Sequence, residues 1–250
     1  MTVRADLHNH SCLSPCGDLY ASPSAMARTA RERGITLMAL TDHNSARNAA
    51  AFAEACRREG LMALFGTETT SREEVHILSL FATVPEAEEW GSWIYPRLPD
   101  FHHDPERFGD QVVVDADENI LDFEPRYLIP AIDASIDEIR QETLERGGLI
   151  IPAHIDRTTN SMLSQLGFLP DLRFSALEIT RWPPAVDPQG HTVICDSDAH
   201  FINDVAQRSF QFSADISPAA SQEKVFQALS TALDTGSVTC SIAPEAAPPQ

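Results

Sequence analysis

The chain has 250 residues, 37 acidic against 18 basic, for a formal charge of −19 at pH 7, and 43% of its residues are hydrophobic. That length suits one large domain or two small ones with a sizeable core, and the hydrophobic share sets disorder aside as the default state. The acidic balance argues against a long nucleic-acid duplex gripped by a basic face, and no run approaches the ~18 apolar residues of a membrane span.

Short apolar runs alternate with helical patterns along the chain. The first strand ends in "DLHNH", and "SPSAMARTARERG" follows with an N-cap at Ser22, Pro23 at the first helical position and Gly34 as terminator. "ITLMALT" (35–41) reads as a buried strand, "SARNAAAFAEACRREG" as a helix from Ser45 to Gly60, and "LMALFG" and "VHILSLF" as two more strands. Residues 85–130 break this rhythm with two tryptophans, several prolines, the pair His102–His103 and many acids, and are expected to form an insertion or lid. A Ser135–Glu138 capping box opens a further helix that ends at Gly147 and Gly148. "GLIIPAH", "SALEIT" and "TVICDSD" supply more strands, and "SQEKVFQALSTALDTG" a final amphipathic helix. Repeated strand–helix units predict a parallel sheet, open or closed, in one domain over 1–243, with a disordered tail at 244–250.

Nearly every apolar run ends in an imidazole or a carboxylate: Asp6, His8 and His10; Asp42 and His43; Glu68; His154; Asp198 and His200. His76 stands instead at the start of its run. In parallel α/β folds the carboxyl ends of the strands open on one face, so these residues are expected to converge there. Side chains alternate along an extended segment, which puts His8 and His10 on one side and lets them share an ion, as Asp198 and His200 can. Imidazole nitrogen with carboxylate oxygen suits Zn²⁺, Mn²⁺ or Fe²⁺. Eight or nine ligands from this set exceed the three or four that one catalytic zinc takes, so more than one ion is implied. His102, His103 and His191 lack this placement and are expected to face solvent. Five cysteines without framework spacing, and a start without a signal peptide's apolar core, predict free thiols in a reducing cytoplasm.

The motifs "DLHNHSCLS", "ALTDHN", "GTE", "HIL", "PAH" and "SDAH" resemble, in order over residues 4 to 201, the motif set of the polymerase and histidinol phosphatase (PHP) superfamily. The resemblance implies a distorted (β/α)7 barrel with two or three metal ions at the carboxyl ends of its strands, and metal-dependent hydrolysis of a phosphate ester. It implies a first metal on His8, His10, Glu68 and Asp198, a second bridged by Glu68 and completed by His76 and His154, and a third on His43 and His200. A further third-metal ligand comes from the loop "SPCGD", with Asp18 the choice and Cys16 its rival. Glu68 and His154 are the expected catalytic residues together with Arg157, which lies three residues after His154 and is read as a guanidinium clamp on the phosphoryl group. Arg181 and Arg208 are the alternatives for that clamp.

The expected partner is a small phosphorylated substrate, a phosphomonoester or nucleotide, with no long duplex and no membrane. Two other readings stay open. One is histidinol-phosphate phosphatase specifically, with Asp115 or Glu124 of the insertion receiving the substrate ammonium. The other is a non-catalytic, metal-binding regulatory module.

Overall fold

A computed structural model describes residues 1–184, 186–217 and 219–242. The tail expected to be disordered lies outside the described residues. In chain order the elements are β1 (Thr2–Asp6), α1 (Pro23–Glu32), β2 (Leu37–Leu40), α2 (Ala49–Glu59), β3 (Met62–Thr70), β4 (His76–Phe81) and α3 (Val84–Ile94). There follow α4 (Pro105–Phe108), β5 (Val112–Val114), β6 (Ile120–Phe123), α5 (Ile136–Glu145), β7 (Leu149–Pro152) and α6 (Met162–Leu166). The chain ends with β8 (Leu177–Glu178), β9 (Val193–Ile194), β10 (Arg208–Ser213), α7 (Gln222–Asp234) and β11 (Val238–Ile242).

The main sheet runs β11–β10–β1–β2–β3–β4–β7. The chain then curls on: Ser175 N–H donates to Ile150 O of β7, β8 pairs with β9, and the segment after β9 returns to β1, where Asn9 bridges Ala199. The result is the distorted α/β barrel. Consecutive residues of β2 enter different apolar clusters, Leu37 and Ala39 with Leu64, Ile151 and Phe226, and Met38 and Leu40 with Phe52, Phe65 and Trp90. A sheet covered on both faces explains why its strands read as unbroken apolar runs.

Local signals act as their chemistry dictates. The Ser22 side chain accepts from Ala25 N–H at the head of α1, and the Ser135–Glu138 box closes on α5. Gly60 takes a left-handed conformation (φ 69°) that ends α2. That helix begins at Ala49 rather than Ser45, because Asn44 and Asn48 bond to other elements, Asn44 to Leu128 O and Pro130 O and Asn48 to Val112, Val114 and Ser11.

The sheet is mixed where the strand–helix rhythm predicts a parallel one. β1, β2 and β3 are parallel, whereas β4 runs antiparallel to both β3 and β7. This reversal explains His76. At the amino end of an antiparallel strand it pairs with Thr70 at the carboxyl end of β3 and so reaches the same face as the other ligand candidates.

The proposed insertion divides in two. α3 is built into the wall, with Ala87, Trp90 and Ile94 fully buried and the Trp90 indole N–H donating to Thr67 Oγ1 at 2.8 Å. Beyond it, α4 and the β5–β6 hairpin form a separate layer. The hairpin's outer strand leaves Ile120, Leu121 and Phe123 exposed. Among the described residues, no helix is long and apolar enough to cross a membrane.

Candidate metal centre

His8 and His10 follow β1 on an extended segment and face the same way, both without solvent exposure. Asn9 between them turns back, its side-chain amide donating to Asp6 O and Ala39 O. His43 and Glu68 come from the ends of β2 and β3 and form a bridge with each other. His154 and Asp198 sit at positive φ, 31° and 51°. An L-residue held there costs on the order of 1 kcal/mol, a strain that concentrates at functional sites.

Glu68 lies at the middle. Its Oε1 is 2.8 Å from His76 Nδ1, 3.0 Å from His154 Nε2 and 3.2 Å from His8 Nε2. Its Oε2 is 3.2 Å from His43 Nδ1 and 3.3 Å from His10 Nε2. Asp198 Oδ1 lies 3.3 Å from His8 Nε2, 3.4 Å from His10 Nε2 and 3.5 Å from His200 Nδ1. The ligand atoms fall into three overlapping groups: His8, His10, Glu68 and Asp198; His43, Glu68 and His76; and His10, His43 and His200, each within 4.8 Å of one another.

This donor set fits divalent metal. His8 Nε2 and His10 Nε2 face each other at 3.2 Å; once neutral, with Nδ1 of each ring donating elsewhere, both aim a lone pair at one point that a cation can occupy. His43 Nδ1 and Asp198 Oδ1 are buried without an aligned hydrogen-bond donor. Unpaired buried polar atoms of this kind cost about 1–3 kcal/mol each unless something coordinates them.

A second layer aims the rings. His8 Nδ1 donates to Glu178 Oε2 at 2.9 Å, leaving Nε2 as the free lone pair. Glu178 also accepts the backbone N–H of His154 at 3.1 Å. Ser14 Oγ donates to Asp42 Oδ1 at 2.8 Å, so it can only accept from His10 Nδ1 and from the His43 N–H, both at 3.1 Å. Sequence reasoning gave Asp42 a place at a strand end but no role, and missed Glu178 and Ser14. Glu178 had a signal, a lone acid inside the apolar run "SALEIT"; Ser14 had none.

Burial and neighbouring charge set the proton load of the metal-free site. Burial alone would lower His8 and His10, but the carboxylates around them win, holding His8 well above the ordinary histidine range and pushing His10 up to about 9. Burial opposes ionisation of Glu68 and Asp198 as well, yet the surrounding imidazoles hold both below the usual carboxylate range. Burial dominates at His43, well below its ordinary value, and at His200, lowered to about 4 with the help of the His10 charge.

The remaining expectations fare differently. Asp18 belongs to none of the three groups; its carboxylate accepts Tyr20 N–H at 3.0 Å, and only its backbone N–H reaches the site, donating to His200 O. Cys16 is also outside them and exposed. Arg157 places Nη2 2.6 Å from Asp198 Oδ2, while its neighbour Asp156 is occupied by Thr180 N–H and Oγ1. Arg208 is committed to the backbone oxygens of Asp196 and Ser197. Asp115 caps its own turn, and Glu124 is buried under Arg47 and Tyr95, so neither carboxylate is offered to an ammonium. His102 is exposed as expected, but His103 is buried, stacked on Tyr127 and bonded to Gly109 O, and His191 is half-buried against Leu172 O. All five cysteines are free.

A barrel with a buried histidine–carboxylate cluster at one rim defines an α/β-barrel protein with a candidate metal site. More particularly, the PHP domain model matches residues 6–140, and the chain belongs to that family. No curated protein matches it significantly. Among solved structures, a lesion-specific endonuclease Q from Pyrococcus furiosus superposes with a TM-score of 0.66 at 18% identity, over 92% of this chain and 56% of its own. A proposed metal-dependent phosphoesterase from Bifidobacterium adolescentis gives 0.55 at 19% identity, over 78% and 87%. An amidohydrolase from Chromobacterium violaceum gives 0.56 at 20%, over 91% and 96%. The chain thus spans little more than half the length of the endonuclease.

These likenesses correct one expectation. Endonuclease Q has also been solved with a 27-mer duplex substrate, at a TM-score of 0.65 and 17% identity over 92% of this chain and 57% of its own. This fold is therefore compatible with a duplex, and the restriction to small substrates drawn from net charge does not hold. Net charge averages over the whole surface, whereas a phosphate responds to the local field near a metal-binding rim.

Proposed function

We propose that the chain hydrolyses phosphate esters at a centre of two or three divalent transition-metal ions, Zn, Mn or Fe. His8, His10, Glu68 and Asp198 would hold one ion, His76, His154 and the shared Glu68 a second, and His43 and His200 a third beside His10. Bound there, the ions supply Lewis acidity toward a phosphoryl group and activate water near neutral pH. Glu68 contributes an oxygen to each side of the cluster, and the buried walls keep competing water away from its ligands.

The observation that carries the phosphate reading is Arg157. Its side chain is 42% exposed yet anchored by one guanidinium nitrogen on Asp198, so the rest of its fork is free to take a ligand at the lip of the centre. A planar cation placed there can take two phosphoryl oxygens, and that contact strengthens as charge builds in the transition state. The Asp198 carboxylate also keeps the guanidinium turned inward before substrate arrives.

The test is steady-state phosphate release from a panel of monoesters, diesters and oligonucleotides with added Mn²⁺, with His8→Ala as the control. No turnover dependent on both metal and His8 would leave a regulatory, metal-binding role as the better account. The five free thiols fit a reducing compartment such as the cytoplasm.

A further inference from the structure

We infer that strand β5 of the insertion is wired into the metal centre through Asn48, a positioning residue that governs how His10 and His43 are presented to metal. Asn48 occupies the N-cap of α2, where an asparagine ordinarily accepts a hydrogen bond from its own helix. Here it makes no such bond. Its fully buried amide is used instead between elements: Oδ1 accepts Val114 N–H at 3.0 Å, and Nδ2 donates to Val112 O at 3.1 Å and to Ser11 Oγ at 3.0 Å.

From Ser11 the chain of bonds continues inward. Ser11 Oγ donates to Asp42 Oδ2 at 2.7 Å, and Asp42 Oδ1 receives the Ser11 N–H at 2.6 Å and the Ser14 hydroxyl at 2.8 Å. Ser14 Oγ then accepts from His10 Nδ1 and from the His43 N–H. Each hydroxyl has one proton and both protons go to Asp42, so the direction of every link is determined. Ser11, Ser14, Asp42 and Asn48 are all essentially without solvent exposure, and no water competes for the links. Loss of the Asn48 donor leaves Ser11 Oγ with only the Leu13 N–H to accept, at 3.3 Å, so the hydroxyl that orients Asp42 is held less tightly, and with it Ser14, the acceptor of His10 Nδ1. Partners of this second layer typically tune metal affinity by factors of ten to a hundred.

Gln111 provides the comparison. It also holds the insertion, donating to Glu124 O and Arg126 O and accepting Leu128 N–H, but it touches none of Ser11, Asp42 or Ser14. The inference rests on the cluster holding ions, which the wild-type chain tests by itself. The experiment is competition for Zn²⁺ between the chain and a chromogenic chelator, with folding followed by circular dichroism. Asn48→Ala should weaken Zn²⁺ binding about 10- to 100-fold, Ser11→Ala should do the same, and Gln111→Ala should stay within about threefold of wild type. If Asn48→Ala does not fold, Ser11→Ala, which keeps its backbone bond to Asp42, decides the matter. Wild-type affinity in a folded Asn48→Ala or in Ser11→Ala, or an equal loss in Gln111→Ala, overturns the inference. Absence of Zn²⁺ binding by the wild type fails the metal centre itself, a separate outcome.

Discussion

Arg157 and Glu178 touch the same cluster and are expected to fail in opposite ways. Arg157→Ala should leave metal content intact while lowering kcat/KM by roughly one to three orders of magnitude, and Arg157→Lys should recover only part, because an ammonium cannot fork. Near-wild-type hydrolysis in the alanine variant would move the clamp to Arg181. Glu178→Gln should instead act on the ion, lowering metal affinity about 10- to 100-fold by releasing the His8 ring. Metal titration separates the two, and unchanged affinity in Glu178→Gln would show that His8 needs no such support. The titrating groups give a further expectation. His8 and His10 are raised in the folded, metal-free chain, so the stability they contribute is complete below the unfolded value of about 6.5 and is lost as pH rises through their folded values, about 9 for His10. Thermal unfolding of the chelated protein should therefore move to lower temperature between those limits. Over the same window metal binding should tighten, because the ion no longer displaces protons. A flat melting temperature from pH 6.5 to 9 contradicts this.

At the scale of elements, α3 and the layer beyond it should separate in their effects. Trp90 is fully buried, so Trp90→Ala should cost about 3–5 kcal/mol in denaturant unfolding, and Trp90→Phe far less. A cost under about 1 kcal/mol would mean that α3 is peripheral after all. Residues 99–109 lie outside the Asn48 linkage and press on the Pro15 turn, where a Cβ on Gly109 would come within 2.9 Å of Pro15 O. Their replacement by a short linker should change relative rates across a phosphoester panel more than it changes metal content; unchanged relative rates would remove them from substrate selection. Much of this architecture was legible. Capping chemistry marks the starts of α1 and α5 because those signals are local and have no competitor. The direction of β4 was not legible, since an apolar run carries no sign of its polarity. β10 and β11 also went unread: "RSFQFS" is short, and its pairing with β1 joins residues some two hundred positions apart. The start of α2 was misplaced because Asn44 and Asn48 serve the barrel instead of the helix, Asn44 bonding Leu128 O and Pro130 O.

Over the whole molecule, the site was more legible than its support. His8, His10, Glu68 and Asp198 announce themselves as polar residues closing apolar strands, and the barrel brings those ends together. Glu178, Ser14 and Asn48 act by hydrogen bonds across elements, which no spacing encodes. Net charge misled, because −19 spread over the surface says little about the field at one rim. The central claim is that phosphate ester hydrolysis here depends on ions held by this cluster. Its most direct measurement is phosphate release by the chelated protein as Mn²⁺ is returned stepwise, across monoesters, diesters and oligonucleotides. No release is expected before addition, and then a rise that saturates as two or three ions bind per chain. Release that is indifferent to chelation, or no release from any ester at saturating metal, contradicts it.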